Sequence, residues 1–139
     1  MRSLVLDASP TLSWCFEDKA TAEWEALLDL LKTTAIAAVP AIWRVEVANA
    51  LLVAERKKRI SAEKTEAFLD RLLRMNIVAD PEADDDAWHR TVNLARDNGL
   101  TSYDASYLEL AIRMNVPIAT KDAKLIQAAV ACGVSLFQP

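Results

Sequence analysis

Short apolar runs recur along this chain, and the stretches between them repeat apolar residues at helical spacing. Arg2–Leu6, Ala35–Val39, Ile77–Ala79, Val116–Ala119 and Val134–Phe137 read as strands, bounded by turn or breaker residues such as Pro40. The intervening segments read as helices over Leu12–Phe16, Thr21–Leu31, Ile42–Lys58, Ala62–Arg74, Ala83–Asn98, Ser102–Met114 and Asp122–Ala131. Ser9 is the expected N-cap of the first, ahead of Pro10. Trp24, Leu27, Leu28 and Leu31 mark one buried helical face, and Phe68, Leu69, Leu72 and Leu73 another. Strands joined through helices need crossovers, and crossovers make a mainly parallel sheet covered on both faces. The expected fold is a three-layer α/β/α sandwich, with residues 1–139 as one domain.

Composition then removes several functions. Hydrophobic residues make up 53% of the chain, enough for a packed interior. Leu4-Val5-Leu6 is too short to act as a signal peptide. Arg44, Glu46 and Asn49 interrupt the longest apolar region, so no membrane span and a cytoplasmic location are expected. Gly99 and Gly133 are the only glycines, which excludes a phosphate-cradling glycine loop. His89 is the only histidine, which removes two-histidine acid–base catalysis and disfavours zinc. Cys15 and Cys132 have apolar neighbours and read as small buried hydrophobes.

Four acids occupy informative places. Asp7 follows the first strand, and Asp122 lies just beyond the fourth, after Thr120-Lys121. Ligands bind outside the carboxyl ends of parallel strands, so these two meet if their strands are neighbours. Glu46 and Asp104 are expected in the first turns of helices that start at that same edge. Each acid also has a structural reading. Asp7 can accept from turn amides, and Glu46 can pair with Arg44 or a distant lysine. Asp104 can complete a capping box with Thr101, and Asp122 can cap the last helix.

Taken in order, Val5-Leu6-Asp7-Ala8-Ser9, Glu46 with Asn49-Ala50-Leu51, Leu100-Thr101-Ser102-Tyr103-Asp104-Ala105-Ser106-Tyr107-Leu108, and Ala119-Thr120-Lys121-Asp122 resemble the PIN domain. The similarity is greatest to VapC-type toxins of toxin–antitoxin pairs, and it spans essentially the whole chain. It implies a metal-dependent endoribonuclease in which Asp7, Glu46, Asp104 and Asp122 hold Mg²⁺ or Mn²⁺, supported by the hydroxyls of Ser9 and Thr120. Asp7 and Asp104 are then direct ligands, with Glu46 and Asp122 completing the shell. The resemblance further implies cleavage leaving 5′-phosphate and 3′-hydroxyl ends, a VapB-type antitoxin partner and a homodimer. DNA would be met only through the antitoxin. Where some relatives carry a further acid, Ala123 and Lys124 stand here.

The chemistry suits that reading. Phosphodiester cleavage needs water activated and phosphate charge neutralised, and hard divalent cations on carboxylates do both. A net charge of −4 is no obstacle, because the twenty acids less these four equal the sixteen Lys and Arg. Two alternatives stay open: a PIN nuclease of RNA processing without a toxin role, and a non-catalytic regulatory module of the same fold. Haloacid-dehalogenase-like phosphatases need a second acid where Ser9 stands, and receiver domains need an acidic pair near Asp7. Arg56-Lys57-Lys58-Arg59 reads as a solvated helix end, with phosphate or antitoxin contact as its functional alternative. Asp84-Asp85-Asp86 reads as first-turn chemistry, and the tryptophans Trp14, Trp24, Trp43 and Trp88 as core or interface packing.

Overall fold

The computed structural model describes residues 2–81 and 84–139. Strands β1 (Arg2–Leu6), β2 (Ala35–Val39), β3 (Ile77–Ala79) and β4 (Ile118–Ala119) form one sheet in the order β3-β2-β1-β4. Every pairing is parallel. Helices α1 (Ala8–Ser13), α2 (Ala22–Thr33), α3 (Ile42–Arg56), α4 (Ala62–Leu73), α5 (Asp85–Asn98), α6 (Ser102–Met114) and α7 (Ala123–Ala131) supply the crossovers. The α/β/α sandwich read from the sequence is the observed architecture. β1 is an inner strand whose Leu4, Val5 and Leu6 are wholly buried, which is why it is an unbroken apolar run rather than an alternating one.

Local chemistry fixes the helix ends. Thr21, Ser61, Asp84, Thr101 and Asp122 each accept a backbone N–H from the first turn that follows. Gly99 (φ 64°) closes α5, and Asn115 (φ 56°) closes α6, both in the left-handed region. Lys58 adopts φ 58° as well, so α3 stops at Arg56 instead of reaching Lys58. Of the expected α5, Ala83 lies outside the described residues, and Asp84 is the N-cap rather than part of the first turn.

Other expectations change. The last strand shrinks to a single parallel bridge between Leu136 and Ile118. Its partner β4 is itself short, because Pro117 has no N–H to donate and only its carbonyl serves β1. Ser9 is not an N-cap: α1 begins two residues earlier with Asp7 in that position, and Pro10 still falls in the first turn, where a missing N–H is harmless. Cys15 is buried, but Cys132 lies exposed just past the end of α7. Trp14, Trp24 and Trp43 are core residues, whereas Trp88 is 73% exposed on α5 and Leu73 is 70% exposed at the end of α4. The basic run divides, with Arg59 stacked over Phe16 and paired with Asp18 at 3.5 Å.

One part-buried ion cluster around the buried Glu109 fastens α5 and α6 to the end of β3. Glu109 receives Arg113 Nε at 2.8 Å and Arg90 at 3.2 Å, and Arg113 also reaches Asp80 at 2.6 Å. Core truncation is therefore expected to be costly where the sheet is covered on both faces. Leu4→Ala should lower unfolding free energy by about 2–5 kcal/mol, while Leu73→Ala should change it by about 0.5 kcal/mol or less. Urea unfolding of the two variants checks this, and equal losses would contradict the assigned core.

Candidate active site

The pairing of β1 with β4 sets the register Leu6↔Ala119, and the Asp7 N–H donates to the Ala119 carbonyl at 3.0 Å. Asp7 and Thr120 therefore emerge side by side at the carboxyl edge of the sheet. The Thr120 hydroxyl donates to Asp7 Oδ2 at 2.8 Å, and the Ser9 hydroxyl donates to the same oxygen at 2.7 Å. Ser9 also accepts the Lys121 N–H at 2.9 Å, which ties the start of α1 to the β4–α7 connection. Both hydroxyls expected beside the site are thus in contact with Asp7, which is itself buried.

Asp122 performs the capping role open to it: its Oδ1 accepts from Lys124 N at 2.8 Å and Leu125 N at 3.2 Å. Asp104 sits in the first turn of α6, where its N–H is taken by the Thr101 hydroxyl at 3.1 Å. The helix starts at Ile42 as expected, which puts Glu46, its fifth residue, in the second turn of α3 rather than the first. Neither Arg44 nor a lysine pairs with it. Instead the phenol of the wholly buried Tyr107 donates to Glu46 Oε1 at 2.8 Å. Tyr107 has no place in the site read from sequence, although it sits three residues after Asp104 on the same helical face.

The four acids share one electrostatic neighbourhood. Burial raises the Glu46 carboxyl above the ordinary range; the Tyr107 hydrogen bond opposes this, and the charges of Asp7 and Asp104 add to it. Burial likewise raises Asp104, reinforced by Asp122 and Asp7 and opposed by Thr101 and Lys124. Asp104 therefore feels all three other acids. Tyr107 is pushed far above its usual value by burial and by Glu46, so its phenol stays protonated as a donor.

No ion pair among the described residues includes any of the four. Glu109 provides the contrast, as a buried acid neutralised by two arginines. The site acids are held by hydroxyls and amides, which orient a carboxylate without cancelling its charge. Oxygens Asp7 Oδ1, Glu46 Oε2 and Asp122 Oδ2 accept no hydrogen bond from described residues. The donor chemistry fits a hard divalent cation. As they stand, no three His, Cys, Asp or Glu side chains among the described residues are grouped tightly enough to hold one ion.

A parallel sheet with unneutralised acids at its carboxyl edge, one after the first strand and one after the last, defines a class of acid-centred α/β domain. The sequence profile of the PIN domain matches residues 4–131, and the chain belongs to that family. Solved structures with the same fold include PAE2754 from Pyrobaculum aerophilum, at 22% identity and TM-score 0.67, covering 92% of this chain and 79% of that one. VapBC2 from Rickettsia felis bound to a DNA fragment from their promoter is 17% identical with TM-score 0.67, covering 97% of each chain. FitAcB from Neisseria gonorrhoeae is 18% identical with TM-score 0.64, covering 98% of this chain and 97% of that one. No curated protein matches the chain significantly in sequence.

The raised carboxyls give a signed prediction. In the metal-free protein Asp104 keeps its proton to higher pH when folded than when unfolded. The stability this carries is full below about pH 4 and is lost as pH rises through the folded value. Asp104→Asn should therefore gain stability relative to the unsubstituted chain as pH rises from about 4 to 7. Paired thermal melts in chelator across that range test it, and a pH-independent difference would contradict it.

Proposed function

We propose that this chain is a metal-dependent endoribonuclease, the toxin of a VapBC-type pair. The carrying observation is the set of oriented but unneutralised carboxylates around Asp104, in contrast to the buried Glu109, which is paired with two arginines. Crowding acids without counter-charge costs stability, and a bound cation offsets that cost. Asp7, Glu46, Asp104 and Asp122 would hold Mg²⁺, or Mn²⁺ in its place. Once bound, the cation supplies neutralisation of the phosphate and acidification of water.

The chain's own residues do the rest. Ser9 and Thr120 fix Asp7 Oδ2 and leave Oδ1 without a hydrogen bond from the described residues. Tyr107 holds Glu46 Oε1 and fixes the position of its carboxylate. The α7 cap restricts Asp122 to presenting Oδ2. Water attacks phosphorus, the bond from phosphorus to the 3′ oxygen breaks, and that oxygen takes up a proton. The products carry 5′-phosphate and 3′-hydroxyl ends.

The toxin assignment draws support from the neighbour described as VapBC2 bound to a DNA fragment from their promoter. On that reading the partner is a VapB-type antitoxin, the toxin pairs with a second copy, and promoter DNA is contacted only through the antitoxin. A cytoplasmic site of action follows from an RNA substrate. No helix among the described residues is long and apolar enough to cross a membrane.

Asp7→Asn should abolish RNA cleavage with the fold intact, since Asn keeps an acceptor for Ser9 and Thr120. Regulated expression with RNA ends mapped checks this: arrest and new 5′-phosphate ends are expected only for the unsubstituted chain. Near-normal cleavage by Asp7→Asn would sink the assignment. Mg²⁺ or Mn²⁺ should also raise the melting temperature in a concentration-dependent way, and an unchanged value over a wide range would count against a metal site.

A further inference from the structure

An acidic site must bind an acidic polymer, so cations are needed beside it. One flank of the site opens into a cleft of about 470 Å³ lined by Ser9, Leu12, Asp18, Lys19, Thr21 and Lys121. That volume suits a single nucleotide unit, within the range of about 300–1,000 Å³ typical of ligand pockets. Ser9 belongs both to this cleft and to the Asp7 hydrogen-bond set. Ser9 therefore joins the cleft to Asp7.

Lys121 is built into that boundary. It stands between Thr120, which bonds Asp7, and Asp122, which caps α7. Its N–H is fixed by Ser9, and its ammonium donates to the hydroxyl of buried Ser13 at 2.8 Å. An ammonium has three donors, so two remain for a ligand. No ion pair among the described residues includes Lys121 or Lys19. The one acid lining the cleft, Asp18, is already paired with Arg59. The cleft therefore presents a held cation, a second at Lys19 over the Phe16 ring, and polar hydroxyls. A backbone phosphate meets those needs.

Resting on the ribonuclease reading, we infer that Lys121 binds the RNA phosphate adjacent to the scissile one, with the intervening nucleotide in the Ser9–Thr21 cleft. Lys121 is a substrate-positioning residue that sets the register of the strand across the acids. Its cation offsets their repulsion of the RNA at short range.

The test uses full-length Asp7→Asn, so that RNA stays intact, and a labelled single-stranded RNA whose dissociation constant is followed over a range of KCl. Adding Lys121→Gln, which retains a donor for Ser13, should reduce the slope of log K against log salt by about 0.7. It should weaken binding about fivefold at 0.1 M salt. Lys121→Arg should restore most of the slope, and Lys32→Gln on remote α2 should leave it unchanged. In the cleaving chain Lys121→Gln should raise KM with kcat largely kept. An unchanged slope and affinity in Lys121→Gln, while the parent binds RNA, overturns this proposal alone. Failure of the parent to bind RNA overturns it together with the ribonuclease reading.

Discussion

Two residues of parallel pairing between β1 and β4 hold the site in place. The Leu6↔Ala119 register and the bond from Asp7 N–H to the Ala119 carbonyl bring Asp7 beside Thr120 across 113 residues of sequence. A one-residue slip would turn the side chains of β4 to the opposite face and take Thr120 away from Asp7. Burial guards against that slip. Ile118 and Ala119 are both enclosed, and so are the strand residues they meet. The hydrophobic core thus specifies the position of a carboxylate.

That placement is bought with electrostatic tension, and the chain uses two ways of burying an acid. Glu109 is neutralised by Arg90 and Arg113 and fastens helices to the sheet. Glu46 is met by a phenol, and Asp7 by two hydroxyls, which position without neutralising. The resulting mutual repulsion raises the carboxyls of Glu46 and Asp104, after the larger effect of burial. Such an arrangement is unfavourable in isolation and favourable with a cation, which is the physical basis for reading it as a metal centre.

Much of this was legible in the residues. Apolar runs with clear breakers located every strand of the sheet, and the acids at strand ends followed from the parallel topology. Where expectation failed, a competing interaction was decisive. Ser9 resembles an N-cap, but its hydroxyl is engaged by Asp7 and Lys121, and Asp7 takes the cap position instead. The Val134–Phe137 strand is reduced to one bridge because Val116, two residues before Ile118 on the same edge, gives its N–H to the Ala111 carbonyl of α6 instead. Tyr107 and Lys121 were invisible as contributors, since their roles depend on contacts 61 and 108 residues away. For Trp88, 73% exposed, only the interface half of the reading stands, because helical spacing cannot say whether a neighbour covers that face.

The central claim is that Glu46 and Asp104, made easier to protonate by burial and by their acidic neighbours, belong to the proposed cation site. Calorimetric titration of Mn²⁺ at about pH 5, in two buffers of different ionisation enthalpy, counts the protons released on binding. The account predicts measurable proton release by the unsubstituted chain and a smaller release by Asp104→Asn. Saturable Mn²⁺ binding with no proton release, or release unchanged by Asp104→Asn, would contradict it.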